Sequence, residues 1–591
     1  MTIYSAPVQN SLFALKAILP EPRWGNYPDD EVLASILSEA GRYASEVLHP
    51  LNPVGDREGC RLEPGGRVVT PTGFKQAYAE FSERGWTSLA GPEAFGGQAL
   101  AATISAAVQE YWVAANMGFA QYNILTQSAI ATLNAAGSPE QKAEYLPKLV
   151  SGDWTGAMSL TEPHCGTDLG LIKTKATRTT EGTYQVTGTK IFISAGDHDL
   201  TDNIVHLVLA RVQGAPDGVG GLSLFIVPKM LTDGTGSIVG GNRIVCSSLE
   251  HKMGLRASAT CVLNFEEATG FLVGEENKGL ANMFLMMNET RLTTGVQGVA
   301  MTEVAFQNAL AYARERRQGR RATGALDPGA SADPILVHPD VRRMLMDMLA
   351  FTESARALVF WTASLADRSH HDPDLRERRE AELLVGLLTP IVKAYLTDIC
   401  LSRTIDAQQI FGGYGYISDF GMEQFVRDAR ISQIYEGTNG IQAMDLVGRK
   451  LAKDGGRTFA AYIDLVRADI NRMSSGSGAD SLRAHLALST LDLEQAAAFL
   501  LRPQSSPDDL GAAAHDFLHL AGTVALGHMW TKLVQAAQRG ITSGATDAAY
   551  CGHRLQIARY FADRWLPETA ARRARIEAGG ASTMALSDAD F

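Results

Sequence analysis

Three stretches of this 591-residue chain combine residue types able to do chemistry on a planar or phosphate-bearing ligand. Residues 158–170, MSLTEPHCGTDLG, carry a Thr-Glu-Pro turn followed by small and hydroxylated residues. Such a turn leaves backbone N–H groups and hydroxyls open to a planar polar ligand or a phosphate, although taken alone it reads more simply as a connection. Residues 188–196, GTKIFISAG, read as a strand ending in an aromatic, an aliphatic and a hydroxyl residue. Phe192 can cover one face of a ring system while Ser194 hydrogen-bonds its edge; the plainer reading is an ordinary strand end. Residues 408–446 join a Gly-rich turn, a charged helix and the turn Tyr435-Glu436-Gly437-Thr438-Asn439-Gly440. Glycines beside a carboxylate let a ligand approach the backbone closely, with Glu436 projecting from the turn. The alternative there is a helix connection bearing a solvated acid.

Other chemistries lack a signature. The chain has no G-x-x-x-x-G-K-[ST], no H-E-x-x-H, no G-x-S-x-G, and no G-x-G-x-x-G after a strand. His515 and His519 stand at i and i+4 on an expected helix; without a third ligand they read as ordinary helix-face histidines, and no metal is expected.

The elements that must position these residues follow from periodicity. Residues 1–30 contain Pro7, Pro20, Pro22 and Pro28 and read as an extended arm. From Asp30 to about Leu149 helical spacing dominates, with Val32, Leu33, Ile36, Leu37 and Ala40 expected on one buried face and a stop at Gly85. Between about 159 and 268 short β-branched and aromatic runs alternate with Gly, Asp and Asn. TYQVTGTKIFISAG, NIVHLVLARV, GLSLFIVPK and ATCVLNFEE are the clearest strands, spaced for a compact antiparallel barrel or sandwich. Helices return after Gly270, starting with a long stretch expected to break at a glycine or two. MSSGSGADS, 473–481, has linker composition, and further helices follow. The division is an arm (1–34), a helical domain (35–157), a β-barrel domain (158–269), a helical bundle (270–453) and an additional C-terminal helical domain (454–591). The fold class is mainly α with a central β-barrel.

Composition narrows the partners. Apolar residues make up 45% and charged residues 20%, which fits a globular chain and excludes disordered classes. With 53 basic and 65 acidic side chains the net charge is −12, so a nucleic-acid phosphate binder is not expected. The local exception is the cluster Arg314, Arg316, Arg317, Arg320 and Arg321. The six cysteines are scattered without a C-x-x-C pair, which argues against a zinc ribbon or a secreted disulfide framework. The opening residues are not expected to form a secretory signal, and the uncharged stretch 111–139 is too rich in Asn, Gln, Ser and Thr for a membrane span. It reads as a buried helix pair or the wall of an apolar pocket, and the expected compartment is the cytoplasm.

Taken in order, Thr161-Glu162-Pro163 with Gly166-Thr167-Asp168, then Phe192-Ile193-Ser194, the Gly412-Gly413-Tyr414-Gly415-Tyr416 turn and Ile434-Tyr435-Glu436-Gly437-Thr438-Asn439 resemble the acyl-CoA dehydrogenase flavoprotein family. Residues 252–284 are similar to that family too, and the likeness spans roughly 35–453. The opening YSAPVQNSLFAL and the added C-terminal helices resemble its longer bacterial branch, which includes 3-methylmercaptopropionyl-CoA and long-chain acyl-CoA dehydrogenases.

The resemblance implies an α domain, a β-barrel and a four-helix bundle, with FAD between barrel and bundle. It places Leu160 and Thr161 at the flavin pyrimidine, Phe192 at the ring face, Ser194 near N5, and Thr438 on FAD. Thr167 would touch the CoA portion and Arg291 lie near the thioester. Arg316 would reach the FAD pyrophosphate of a neighbouring subunit, with Gln409 and Gly413 close by, which implies at least a homodimer. After Arg316 the family's aromatic-Gly is missing and the turn is one residue shorter, so Gln318 is left unassigned. Glu436 is the implied catalytic base. It would take the α-proton of an acyl-CoA thioester while the β-hydrogen leaves as hydride, and its own backbone N–H would help hold the thioester oxygen. Water exclusion by bound substrate would make it a stronger base.

The implied acceptor is an electron-transferring flavoprotein. An acyl-CoA oxidase reacting with O2 and a saturated fatty acyl-CoA dehydrogenase remain open, with methylmercaptopropionyl-CoA slightly favoured by whole-chain likeness. A glutamate at 436 speaks against nitroalkane oxidases, which use aspartate. A DNA-associated flavoprotein on the same scaffold would need a large basic surface.

Overall fold

The computed structural model describes residues 2–19, 23–476, 478–544 and 546–591. It forms two compact units, 39–293 and 1–38 with 294–591.

The arm is not extended throughout. Residues Val8–Ile18 form a helix that buries Ser11, Ala14, Leu15 and Ile18 and packs on the helices Pro339–His371 and Pro507–Ser543. Pro7 stands at its N-cap and no proline follows inside it, so Pro7 borders the helix instead of breaking it. Pro20 and Pro22 lie outside the described residues.

The helix Asp30–Tyr43 buries Leu33, Leu37, Ala40, Gly41 and Tyr43 and half-buries Ile36, whereas Val32, expected on the same face, is 48% exposed. Phe74–Glu83 ends where expected, with Gly85 left-handed at φ 76°. The uncharged stretch belongs to one 35-residue helix, Ala102–Ala136, bent where Asn116 leaves helical geometry at φ −160° and ψ 88°. Nearly all of it is buried, which is why it carries so little charge.

The strands build a seven-stranded sheet. Thr260–Val273 pairs with Tyr184–Ser194, which pairs with Lys175–Arg178, which pairs with Asn203–Val212. Leu222–Pro228 then joins Asn203–Val212 back to Thr260–Val273, so the sheet closes on itself as a barrel. Trp154–Ser159 and Ile244–Leu249 extend it on either side. The barrel is not wholly antiparallel: Asn203–Val212 runs parallel to both Trp154–Ser159 and Lys175–Arg178. Trp154–Ser159 and Lys175–Arg178 escaped the sequence reading, the first because WTGAMS lacks β-branched alternation, the second because it is only four residues long.

The expected breaks in the long helix Gly279–Glu315 are absent. Its Gly295 and Gly298 instead allow close helix packing. A Cβ on Gly295 would lie 2.3 Å from Val392 Cγ1, and one on Gly298 2.9 Å from the Leu396 carbonyl oxygen. Those neighbours belong to Leu375–Ile410, a helix long and apolar enough to cross a membrane but with 67% of its apolar window buried inside the protein. The residues 473–481 expected as a linker connect two consecutive helices, Arg457–Arg472 and Ala479–Leu500, which pack together; Ser477 lies outside the described residues.

Candidate active site

The Thr-Glu-Pro turn is fixed from beneath by a buried ion pair. Glu162 and Lys190 have side-chain exposures of 3% and 0% and meet at 2.9 Å. Glu162 also accepts the N–H of Lys173 at 2.8 Å, the N–H of Thr174 at 3.0 Å and the Thr174 hydroxyl at 2.6 Å. Burial alone would raise its pKa, but the Lys190 ammonium and these donors hold it below the usual carboxylate range. Lys190 donates in addition to the Leu160 carbonyl at 2.9 Å. The Ile191 N–H donates to the Thr161 carbonyl at 2.9 Å. Leu160 and Thr161 are thus locked to the strand that carries Phe192 and Ser194. Sequence reasoning passed over Glu162 and Lys190; the signal was a charged pair inside otherwise apolar or hydroxylated runs.

Phe192 sits on a β-bulge. The pairing of Tyr184–Ser194 with Thr260–Val273 slips between Cys261 and Leu263, so Ile191 and Phe192 together oppose Val262. Phe192 adopts the left-handed φ of 59° and is 59% exposed. A bulky residue takes that conformation only when its surroundings enforce it, and such sites cluster where ligands bind. Thr167 is exposed on the turn, and Arg291 is buried on the helix Gly279–Glu315 near the Phe284 ring.

In the other unit Arg316 and Gly413 line one groove of about 490 Å³, together with Gln318, Gly412 and Tyr414. Gln318, left unassigned from sequence, lies beside Arg316 here. The Arg316 guanidinium stands 5.9 Å from the Tyr414 ring centroid. Added Cβ atoms on Gly412 and Gly413 would meet nothing within 4 Å, so a ligand can lie against the backbone there. Gln409 precedes this turn at the end of the helix Leu396–Ile410. A larger hollow of about 670 Å³ in the 39–293 unit, lined by Glu83, Lys148, Asp153 and Asp202, contains none of the expected site residues.

Arg317, Arg320 and Arg321 of the basic cluster tie down the following loop. Arg317 and Arg320 donate to carbonyls of the following loop, and Arg320 also reaches Asp333 at 3.5 Å. Asp333 is buried and accepts the N–H groups of Arg321, Leu326 and Asp327 at 3.0–3.2 Å. These donors, led by Arg321 N–H, hold its carboxyl down at about 2. A depressed folded value means that the stabilisation is complete above the unfolded value of about 3.9 and is lost as pH falls through the folded value. Asp333→Ala is therefore expected to loosen the loop after Arg316 at neutral pH, read as faster amide exchange of that loop. In the parent the same loosening should set in only as pH falls from about 4 toward 2.

Glu436 occupies a turn braced on both sides. It is half-buried, with a left-handed φ of 58°, and Gly437 follows at 81°. The hydroxyls of Ser432 and Tyr435 both donate to the Gln297 side-chain oxygen. Thr438 caps the helix Asn439–Asp445 by accepting the Ile441 N–H. Glutamate gains nothing locally from a left-handed backbone, so the surrounding structure must hold a strain of about 1–3 kcal/mol at this turn.

Taken unit by unit, the guanidinium and open glycine backbone of Arg316, Gly412 and Gly413 suit a diphosphate, and in the 39–293 unit the exposed bulged Phe192 near the Ser194 hydroxyl suits a planar ring system. Helices, a closed barrel, more helices and a strained acidic turn form an architecture that accommodates a flavin-dependent dehydrogenase, a class the fold alone does not decide. Comparison with known proteins specifies the class further. The family models for the acyl-CoA dehydrogenase N-terminal, middle and C-terminal domains match residues 62–153, 157–268 and 277–451. A fourth, acetyl-CoA dehydrogenase C-terminal like, matches 459–587. The chain belongs to the acyl-CoA dehydrogenase family and is an FAD-dependent oxidoreductase. It is 42% identical to the 3-methylmercaptopropionyl-CoA dehydrogenase of Ruegeria pomeroyi, over 99% of this chain and 100% of that one. It is 32% identical to the broad-specificity linear acyl-CoA dehydrogenase FadE5 of Mycobacterium tuberculosis, over 100% of both chains. The Bacillus anthracis acyl-CoA dehydrogenase complexed with FAD shares the fold at a TM-score of 0.75, with 21% identity over 95% of this chain and 91% of that one.

Proposed function

We propose that this enzyme dehydrogenates 3-methylmercaptopropionyl-CoA at Cα–Cβ, with Glu436 as the base that removes the α-proton. The left-handed turn at Glu436, braced through Gln297 and capped by Thr438, carries this reading. Bound FAD supplies the acceptor for the β-hydride. The protein's part is to hold the acyl chain, to polarise the thioester carbonyl through the Glu436 N–H, and to accept the α-proton on the Glu436 carboxylate. Leu160, Thr161, Phe192, Ser194 and Thr438 would contact the flavin, and Arg316, Gln409 and Gly413 its diphosphate side. Thr167 and Arg291 would contact the acyl-CoA.

The substrate choice is supported by 42% identity running the whole length, including the C-terminal helices. A second reading, saturated linear acyl-CoA thioesters, draws support from the 32% likeness to FadE5. As part of the same proposal, an electron-transferring flavoprotein takes the electrons, Arg316 serves the FAD of a second subunit in a homodimer, and the enzyme works in the cytoplasm.

Anaerobic titration of the yellow protein with a panel of acyl-CoA thioesters tests this. Flavin bleaching should be fastest with 3-methylmercaptopropionyl-CoA. A straight-chain thioester of similar length that bleaches about tenfold faster, a difference of about 1.4 kcal/mol, would reverse the substrate assignment. Bleaching by no thioester would remove the activity altogether.

A further inference from the structure

Asp398, on the helix Leu396–Ile410, grips both ends of the turn that carries Glu436. Its Oδ1 accepts from Gln433 Nε2 at 2.7 Å, ahead of the turn, and from Asn439 Nδ2 at 2.7 Å, behind it. Its Oδ2 lies 2.9 Å from Nε2 of His519, a residue of the C-terminal helix Pro507–Ser543. The carboxylate can only accept here, so His519 carries the proton on Nε2 and donates it. Side-chain exposures of 16% and 8% keep water largely away from this bond.

Asn439 is fixed in turn. Lys393 donates to its Oδ1 at 2.7 Å, and its amide also donates to the Ala394 carbonyl at 3.0 Å and the Thr397 hydroxyl at 2.9 Å. The C-terminal helix is seated on the same spot by two further contacts. Tyr395 and Thr523 hydroxyls meet at 3.0 Å, and a Cβ on Gly522 would lie 2.2 Å from the Tyr395 ring. Only glycine lets the helix come close enough for His519 to reach Asp398.

His515 stands near the pair, its ring centroid 4.2 Å from that of His519, and one ligand atom from each of the three residues falls within 4.8 Å of the others. Both Asp398 oxygens are already engaged by three donors, so a cation would have to displace the His519 proton. The geometry is that of a hydrogen-bonded clamp.

A left-handed glutamate persists only where neighbouring structure over-determines it. We infer that His519 is a positioning residue for the base: acting through Asp398, Gln433 and Asn439, it keeps the Glu436 turn in its strained conformation, so the C-terminal helical region sets the geometry of proton abstraction. The inference rests on the proposed role of Glu436. Removing the imidazole leaves a half-buried carboxylate short of one donor; Asp398 would rotate to find another and release Gln433 and Asn439.

The experiment compares the parent with His519→Ala and His519→Gln, each as the flavin-loaded enzyme. Three quantities are read: amide exchange of the 431–445 segment, and kcat and KM with the best thioester of the panel. In His519→Ala, exchange of that segment should rise and kcat fall, each about tenfold, with KM within about twofold. Glutamine, which can still donate to Asp398, should restore both to within about threefold. If alanine lowers only the melting temperature and leaves exchange and kcat at parental values, the clamp has no bearing on the turn and the inference fails. If His519→Ala does not fold, the near-isosteric Asp398→Asn takes its place and should raise exchange in the same segment; unchanged exchange there also overturns the inference. A parent enzyme that dehydrogenates no thioester, yet shows the exchange response, would refute the proposed activity and leave the clamp standing.

Discussion

Glu436→Gln is expected to keep its FAD and to bind acyl-CoA, yet to reduce its flavin about a thousand- to ten-thousandfold more slowly than the parent. Glutamine has the length and shape of glutamate and tolerates the left-handed φ of 58° no worse, so the turn should survive the exchange. The supports on either side are untouched: Gln297 still receives the Ser432 and Tyr435 hydroxyls, and Thr438 still caps the next helix. What disappears is the one group proposed to accept a proton from a weakly acidic carbon. A thioester α-proton leaves only if a base is in place as negative charge builds on the carbonyl oxygen, so the loss falls on kcat more than on KM. Rapid mixing of substrate with the oxidised variant, followed by flavin absorbance, measures this directly. A bleaching rate within about tenfold of the parent's would mean that another group abstracts the proton.

Lys190→Met should cost about 3–5 kcal/mol of stability, because it removes the cation from a buried pair and leaves Glu162 charged and enclosed. The Leu160 carbonyl loses its donor at the same stroke. Glu162 keeps the donors from Lys173 and Thr174, which cannot replace a full positive charge. Chemical denaturation of the 39–293 unit's signal should show the drop, and under the proposed flavin contacts of Leu160 and Thr161 flavin content should fall with it. Lys190→Met combined with Glu162→Gln should recover a large part of the loss, since no buried charge then remains unpaired. The pH dependence has a defined sign. Glu162 is held below the ordinary carboxylate range, so its contribution is complete above that range and fades as pH drops through it. A single variant that loses less than about 1 kcal/mol would show that the turn is held by its backbone hydrogen bonds alone.

Much of the fold could be read along the chain because the relevant signals are local. Alternation of β-branched and aromatic residues marked Tyr184–Ser194, Asn203–Val212, Leu222–Pro228 and Thr260–Val273. Gly85 ended its helix as glycine does when φ must be positive. Other signals misled for equally physical reasons. Glycine in a helix reads as a break, yet Gly295 and Gly298 are there because Val392 and Leu396 of another helix press against their backbone. Val32 is apolar and next to a buried stripe, but one step of 100° turns it outward. His519 read as an ordinary helix-face histidine because its partner, Asp398, lies 121 residues away.

The same division applies to the site. The order of its motifs, the acid flanked by glycine and threonine, and the aromatic–aliphatic–hydroxyl strand end are properties of the sequence, fixed by residue type and spacing. The bulge that turns Phe192 outward, the left-handed turn under Glu436, the groove shared by Arg316 and Gln318, and the clamp from His519 came only with tertiary structure. Each depends on a partner distant in the chain, and backbone strain of this kind exists only when such partners enforce it.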